Sequence, residues 1–424
     1  MKIIQVPRRF VVSEWGGTET TILQTSRALQ RAGHEAAIFT SLALSDQRRE
    51  DIQGVPVRRF PYSYPFLGLT ADDRRDMDKK GGNLLSLSLL LGLLREPGVD
   101  LIHAHTGKRV GGVVRTAARL RGIPYVVTLH GGYFEVPKGE MDQMLAPIQN
   151  RPEWGRIFGA LLGARRVLED AAAVVCVGGD EYAAAKAKLP GQRVELIPNG
   201  VDCDAFAQGD AVGFRAAHGI AEDRRIILCV SRIDYQKNQI GLVEALGAVA
   251  AQVPEVHLVL IGPVTVAGYH ERLLDRVREL GLTDRVTLIP GLRPDDPLLP
   301  GAYHAAEVFC LPSLHEPFGI VILEAWAAGR PVVAARVGGI PSFTRDGEDI
   351  LHAQPGDTAD LAARLIQVMG DTQLAGRLAA AGQAKARRDY AWSAIAARLV
   401  DIYRELPRGG KSGGADGASR NQPG

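Results

Sequence analysis

The sequence predicts an α/β protein built as two parallel-sheet domains, and three observations carry that prediction. At 424 residues the chain exceeds what one ordinary core holds, so two units of about 200 residues are expected. The composition is 46% hydrophobic but only 6% aromatic, with 48 glycines. An aliphatic, glycine-rich chain of this kind suits sheets covered by helices on both faces. Short aliphatic runs also recur along the chain, each followed by a turn and a helical pattern, which is the rhythm of βα units.

In the amino-terminal half, residues 3–6 predict a first strand. A loop containing Gly16, Gly17 and Glu19 follows, then a helix ending near Gly33 with Ile22, Leu23, Ala28 and Leu29 at helical spacing. Paired glycines before a helix let backbone amides approach a ligand closely. Strands are expected at 35–40 and 55–60. The charged, turn-rich stretch 62–83 shows no strand and, with 131–151, is read as a variable wall for an acceptor. Runs at 100–105 and 124–129 predict strands that deliver His103, His105 and His130 at their carboxyl ends. His130 precedes Gly131 and Gly132, where open α/β sheets bind ligands. Thr106-Gly107-Lys108 echoes a phosphate loop, but the full spacing is absent. A helix over 154–173 and a strand over 173–177 complete this half.

In the second half a buried strand over 225–231 leads into Arg232 and Lys237, two cations ahead of a helix from about Gln239. Strands follow at 256–262 and 285–291, and the turn at 290–292 is the expected seat of a base. The stretch 311–341 is the most informative. A strand over 308–311 ends in a loop carrying Glu316, and Pro317 lacks an N–H and fixes φ. A helix is predicted from near Gly319 to Gly329, with Glu324 inside it and Pro331 barring its continuation into a strand at 332–335. The free amides of Phe318, Gly319 and Ile320 make its start a site for anions or hydroxyls. Helices are expected from Asp357 and Gln373. A last one runs from Trp392 to Leu406, before a polar tail from Pro407 that lacks apolar periodicity.

Charge and cysteine usage narrow the classes. Residues 1–200 carry a net +6 and the remainder −4, for +2 overall. The first half can therefore lean on an anionic acceptor or on lipid head groups at a membrane surface, although scattered solvated charge is the favoured reading of the count because no dense basic helix appears. No aromatic residues interleave with a basic stripe, so nucleic acid is disfavoured. The four cysteines follow no metal or redox spacing and suit buried thiols in a reducing cytoplasm. The most apolar segment, 84–94, is too short to span a bilayer. Oligomeric state is not legible.

The joint pattern H-E-P-F-G, E-A, G-x-P-V-V and G-G-x-P over 315–341 resembles the retaining glycosyltransferases of the large GT-B family four. That resemblance extends over about 1–406 and implies two Rossmann-like domains with parallel sheets facing a central cleft. An acceptor domain would span 1–202, a donor domain 203–388, and 389–406 would cross back onto the first. It further implies that Glu316 meets the donor sugar and Glu324 the ribose. Arg232 and Lys237 would grip a UDP- or GDP-type diphosphate, and His130 would lie beside the sugar, with Gly16 and Gly17 against the phosphates. Fixed cations there would make a metal unnecessary, and no other cofactor is implied. The partners would be the nucleotide sugar and a hydroxyl acceptor. One departure is Gly178, where the family offers a hydroxyl, and another is Asp346-Gly347 in place of N-G. A nucleotide-sugar epimerase and a non-catalytic sugar-nucleotide binder remain open; a nicotinamide oxidoreductase lacks its G-x-G-x-x-G after the first strand.

Overall fold

A computed structural model describes residues 1–12, 16–80, 82–131, 133–134, 148, 151–293 and 296–407. The first sheet contains β1 (Lys2–Val6), β2 (Glu35–Ser41), β3 (Arg49–Ile52), β4 (Val55–Phe60), β5 (Leu101–Ala104), β6 (Tyr125–Leu129), β7 (Ala173–Cys176) and β8 (Val194–Leu196). Its order is β3-β4-β2-β1-β5-β6-β7-β8. All pairings are parallel except the β3–β4 hairpin, whose turn places Gln53 and Gly54 at φ 51° and 85°, the positive values a tight hairpin requires.

The second sheet contains β9 (Arg225–Val230), β10 (Val256–Ile261), β11 (Val286–Ile289), β12 (Ala306–Leu311), β13 (Val332–Ala335) and β14 (Leu351–Ala353). They lie in the order β11-β10-β9-β12-β13-β14, all parallel. Both sheets reverse direction of growth once, between β1 and β5 and between β9 and β12. Ligands of open α/β sheets bind at the carboxyl ends of such strand pairs.

The apolar run of β9 follows from burial on both faces. Ile226 and Leu228 of β9 join one core, with Phe309, Trp326 and Phe343, while Ile227 and Cys229 join the other, with Leu242, Leu258 and Leu365. Neither face meets water, so neither can carry polar residues cheaply. Trp392, Ile395, Leu399 and Tyr403 recur at helical spacing in the Trp392–Glu405 helix and pack on Ile3, Ala28 and Leu29, beside the first sheet. The chain thus returns to its starting domain, and Val201 and Tyr390 are tied where it crosses (Val201 N to Tyr390 O, 2.8 Å).

Two local expectations are corrected. The stretch 62–83 contains a helix, Ala71–Lys80, whose sequence ADDRRDMDKK has no apolar period because only one edge, at Met77 and Asp78, is buried. The helix expected over 154–173 is reduced to Arg156–Leu161. Gly163 adopts φ 62° and its neighbour Ala164 donates back to Gly159 O at 2.8 Å, closing the helix in a left-handed cap. All four cysteines are buried and unpaired. Among the described residues no helix is long and apolar enough to cross a membrane. The tail from 408 and most of 131–151 lie outside the described residues.

Candidate active site

The loops after β9 and β12 are neighbours because their strands are neighbours. In the first loop Asp234 is buried and accepts from Lys237 N at 3.2 Å, turning the chain so that the lysine points back over the sheet. Gly262, at the end of β10, presses against this loop so closely that any Cβ there would collide with the Ser231 carbonyl. Gln236 O receives the Leu314 amide at 2.7 Å, which joins the two loops. The result is an ion pair: Lys237 Nζ lies 2.7 Å from Glu316 Oε2, with side chains only 12% and 11% exposed. Two poorly hydrated, fixed charges of opposite sign hold each other in place and leave the remaining carboxylate oxygen and ammonium protons for a ligand.

Glu316 is itself fixed through its backbone. Gly339 N donates to Glu316 O at 2.9 Å, and Gly338, at φ 51°, has no room for a side chain against that carbonyl. Gly319 stands at φ 95° ahead of the Ile320–Ala327 helix, a left-handed turn that a side chain would strain. The Phe318 and Gly319 amides have no backbone partner among the described residues, so a helix start with unmet N–H groups sits beside the ion pair. The Phe318 side chain is buried, stacked on Phe343 with ring centroids 4.7 Å apart, so only its backbone faces the site. Glu324, one turn into the helix, accepts a 2.6 Å hydrogen bond from the Tyr303 hydroxyl. Burial raises the pKa of Glu324, and that hydrogen bond opposes the shift.

The other wall comes from the first sheet. An added Cβ at Gly17 would lie 3.6 Å from Ile320 Cδ1, one at Gly131 3.9 Å from the Pro317 side chain, and one at Gly178 3.2 Å from the Pro317 carbonyl. Three loops, after β1, β6 and β7, therefore converge on residues 317–320. Gly178 occupies one of the closest approaches between the two halves. Glu181 braces this wall by accepting from Gly131 N at 2.9 Å and Tyr133 N at 3.1 Å.

Behind Gly131 the three histidines form a stack. His105 Nδ1 and His130 Nε2 are 2.9 Å apart, and His105 Nε2 meets Gln5 Oε1 at 2.6 Å. His103 bonds Tyr403 and Thr128, both at 2.6 Å, beneath them. Burial lowers His103 to about 3 and His130 to about 4, and pushes His105 well below its usual value, so all three are neutral at pH 7. In the unfolded chain they protonate near 6.5. Between pH 6.5 and about 4 the unfolded chain thus binds more protons, and stability falls as pH falls. We expect proton uptake on unfolding across this window, measurable by calorimetry in buffers of different ionisation enthalpy.

Of the residues singled out in the sequence, Gly17, Lys237, Glu316, Gly319 and Ile320 meet at one cleft, with Glu324 one helical turn away. His130 stands immediately before Gly131 at its edge. Gly16 precedes the contact as the extended cap of the Gly17–Arg31 helix. Arg232 does not join the carboxylates. Its side chain is 53% exposed and turns to Asp234 Oδ2 at 3.2 Å and Gln236 Oε1 at 3.3 Å, on the rim. Sequence reasoning missed Tyr303, Glu181 and Gln5. Only Gln5 left a signal, as a polar residue inside an aliphatic strand.

Residues 16–200 match the glycosyl transferase 4-like domain and residues 213–385 match glycosyl transferases group 1. The D-inositol 3-phosphate glycosyltransferase of Mycolicibacterium gilvum is 33% identical over 340 residues, covering 78% of this chain and 72% of that protein. Its namesake from Saccharomonospora viridis is 31% identical over 409 residues, covering 92% and 89%. The chain belongs to the group 1 glycosyltransferases. This glycosyltransferase has the GT-B architecture: sucrose-phosphate synthase from Thermosynechococcus elongatus superposes with a TM-score of 0.69 at 23% identity, covering 96% of this chain and 99% of that one. Anabaena HepE, solved with UDP and glucose, gives 0.68 at 22% identity, covering 96% and 100%.

Proposed function

We propose that the protein transfers a hexosyl group from a UDP- or GDP-type nucleotide sugar to an acceptor hydroxyl with retention of configuration, without a metal. The observation that carries this reading is the Lys237–Glu316 pair beside the unmet amides of Phe318 and Gly319. The amides, Lys237 and the rim cation Arg232 take the diphosphate, whose negative charge grows as the sugar departs, so they favour the transition state over the ground state. The free oxygen of Glu316 accepts from a sugar hydroxyl, and Glu324, steadied by Tyr303, accepts from the ribose. His130 meets the sugar from the opposite wall. The anomeric C–O bond to the phosphate breaks, the acceptor oxygen bonds the same carbon from the same face, and its proton passes to the departing phosphate oxygen. No carboxylate nucleophile is needed. The acceptor domain is taken as 1–202, the donor domain as 203–388, and the place of action as the cytoplasm, where four buried thiols stay reduced.

The decisive experiment incubates candidate nucleotide sugars with and without acceptors and follows free nucleoside diphosphate, with the anomeric configuration of the product read by NMR. Retention, no covalently trapped sugar on the enzyme, and undiminished turnover in EDTA are expected. An inverted product, a trapped glycosyl-enzyme or strict metal dependence rejects the mechanism, and donor conversion without acceptor would indicate an epimerase.

The acceptor is proposed to be anionic, a phosphorylated polyol of the kind named for the relatives above. Arg8, at the end of β1, is held by the Met77 and Asp78 carbonyls at 3.3 and 2.8 Å. Lys108 stands at φ 55° after β5, and its pKa is lowered by burial and then by the Arg8 charge, which an anion between them would relieve. Lys108→Ala is expected to raise the acceptor KM about tenfold, the size of one charge-assisted contact, with donor KM unchanged. Equal acceptor KM values in variant and parent would remove the anionic acceptor from this site.

A further inference from the structure

The Gln5–His105–His130 chain does more than fill space. Gln5 is wholly buried in β1, yet its side-chain nitrogen has no hydrogen-bond partner while its oxygen faces His105 Nε2 at 2.6 Å. Amide oxygen and nitrogen have nearly the same shape, so the orientation is decided by the bonds it makes. With the oxygen toward His105, a buried amide nitrogen goes wholly unmet. Turned over, the nitrogen donates one of its two protons to His105, so one N–H and a carbonyl oxygen are unmet in place of two N–H groups, and an unmet carbonyl is cheaper to leave than an unmet N–H.

That choice propagates. If Gln5 donates to His105 Nε2, His105 carries its proton on Nδ1 and donates it across 2.9 Å to His130 Nε2. His130 must then hold its own proton on Nδ1, the one ring nitrogen of His105 and His130 without a partner among the described residues. His105 stacks on His130 (5.1 Å, 29°) and on His103 (4.5 Å, 24°), and its two hydrogen bonds, at 2.6 and 2.9 Å, hold the ring in the orientation that faces Nε2 to Gln5 and Nδ1 to His130. We propose that Gln5 and His105 are positioning residues that fix His130 as its Nδ1–H tautomer, so that an uncharged ring donates a hydrogen bond to a hydroxyl of the bound donor sugar. This rests on the nucleotide-sugar reading for the identity of the ligand, but the tautomer itself does not.

The test uses the full-length protein labelled with 15N-histidine, with His130 assigned by the loss of its signals in His130→Asn. Long-range 1H–15N spectra of the ligand-free protein at pH 7.5 are expected to show a protonated Nδ1 and a bare Nε2 for His130. A protonated Nε2, or a mixture of tautomers, overturns the proposal whether or not the enzyme transfers sugar. In Gln5→Glu, with the side chain ionised as its infrared carboxylate band reports, the group can only accept, so the chain reverses and His130 should switch to the Nε2–H form. With it, kcat should fall about tenfold at little change in acceptor KM, as loss of one neutral hydrogen bond in the transition state implies. Gln5→Leu, which cannot direct either form, should give a mixture and an intermediate kcat. A Gln5→Glu protein that melts earlier but keeps the wild-type tautomer and kcat would assign Gln5 a packing role only and end the proposal.

Discussion

Lys237→Ala is expected to lower turnover by about a hundredfold or more while leaving the fold intact. Two effects act in the same direction. The variant removes a cation from the place where diphosphate charge grows, and loss of one such preorganised contact costs about 3 to 4 kcal/mol in the transition state. It also leaves Glu316 buried without its 2.7 Å partner, a bare negative charge beside a departing anion. Glu316→Gln separates the two, since it keeps the shape and removes the charge. It should lower kcat for loss of the sugar contact, with less harm to donor KM than Lys237→Ala causes. Arg232→Ala, at an exposed rim position, should cost about tenfold because solvent already screens that charge. Steady-state kcat and KM for the donor, with thermal melting as control, decide the matter. A Lys237→Ala enzyme within threefold of wild type would mean that the ion pair is a structural clasp and not part of the chemistry.

Gly338→Ala is expected to destabilise the second domain by about 3 kcal/mol and to remove nearly all activity. The methyl group would drive into the Glu316 carbonyl at a position whose φ of 51° already disfavours a side chain. Relief requires the 316–319 turn to move, and that turn holds the carboxylate, the amides and the start of the Ile320–Ala327 helix together. Displacements of about 1 Å at a reacting centre can cost a hundredfold in rate. Equilibrium urea unfolding and kcat would be measured together. Gly347→Ala is the control: its φ of 75° carries a similar conformational cost, but a Cβ there meets nothing within 4 Å. It should lose about 1 kcal/mol and keep its activity. If Gly338→Ala behaves like Gly347→Ala, the crowding at residue 316 is not what the site depends on.

Much of the cleft is legible in the sequence because its residues lie at punctuated positions. Lys237 and Glu316 each follow a strand and precede a helix, Gly17 opens a helix and His130 follows a strand, and glycine or proline marks the turns beside them. Arg232 shows where that reading stops. It occupies the same kind of loop as Lys237, five residues earlier, but buried Asp234 draws it to the rim, a competition no local pattern reveals. The Ala71–Lys80 helix was invisible because it touches the core through a single edge and has no apolar stripe to display. Tyr303 gave no sign, since its helix lies in sequence well before the glutamate it holds.

By itself the sequence determined the parallel α/β layers and the strand ends at which chemistry can sit, because side-chain periodicity and turn residues act over a few positions of chain. Only the tertiary structure decided which of those ends face one another. It set Lys237 on Glu316, pressed Gly178 against Pro317 and linked Gln5 through His105 to His130. Those pairings join residues 25 to 139 positions apart, and their partners are chosen by strand order and domain closure, which depend on the packing of the whole molecule.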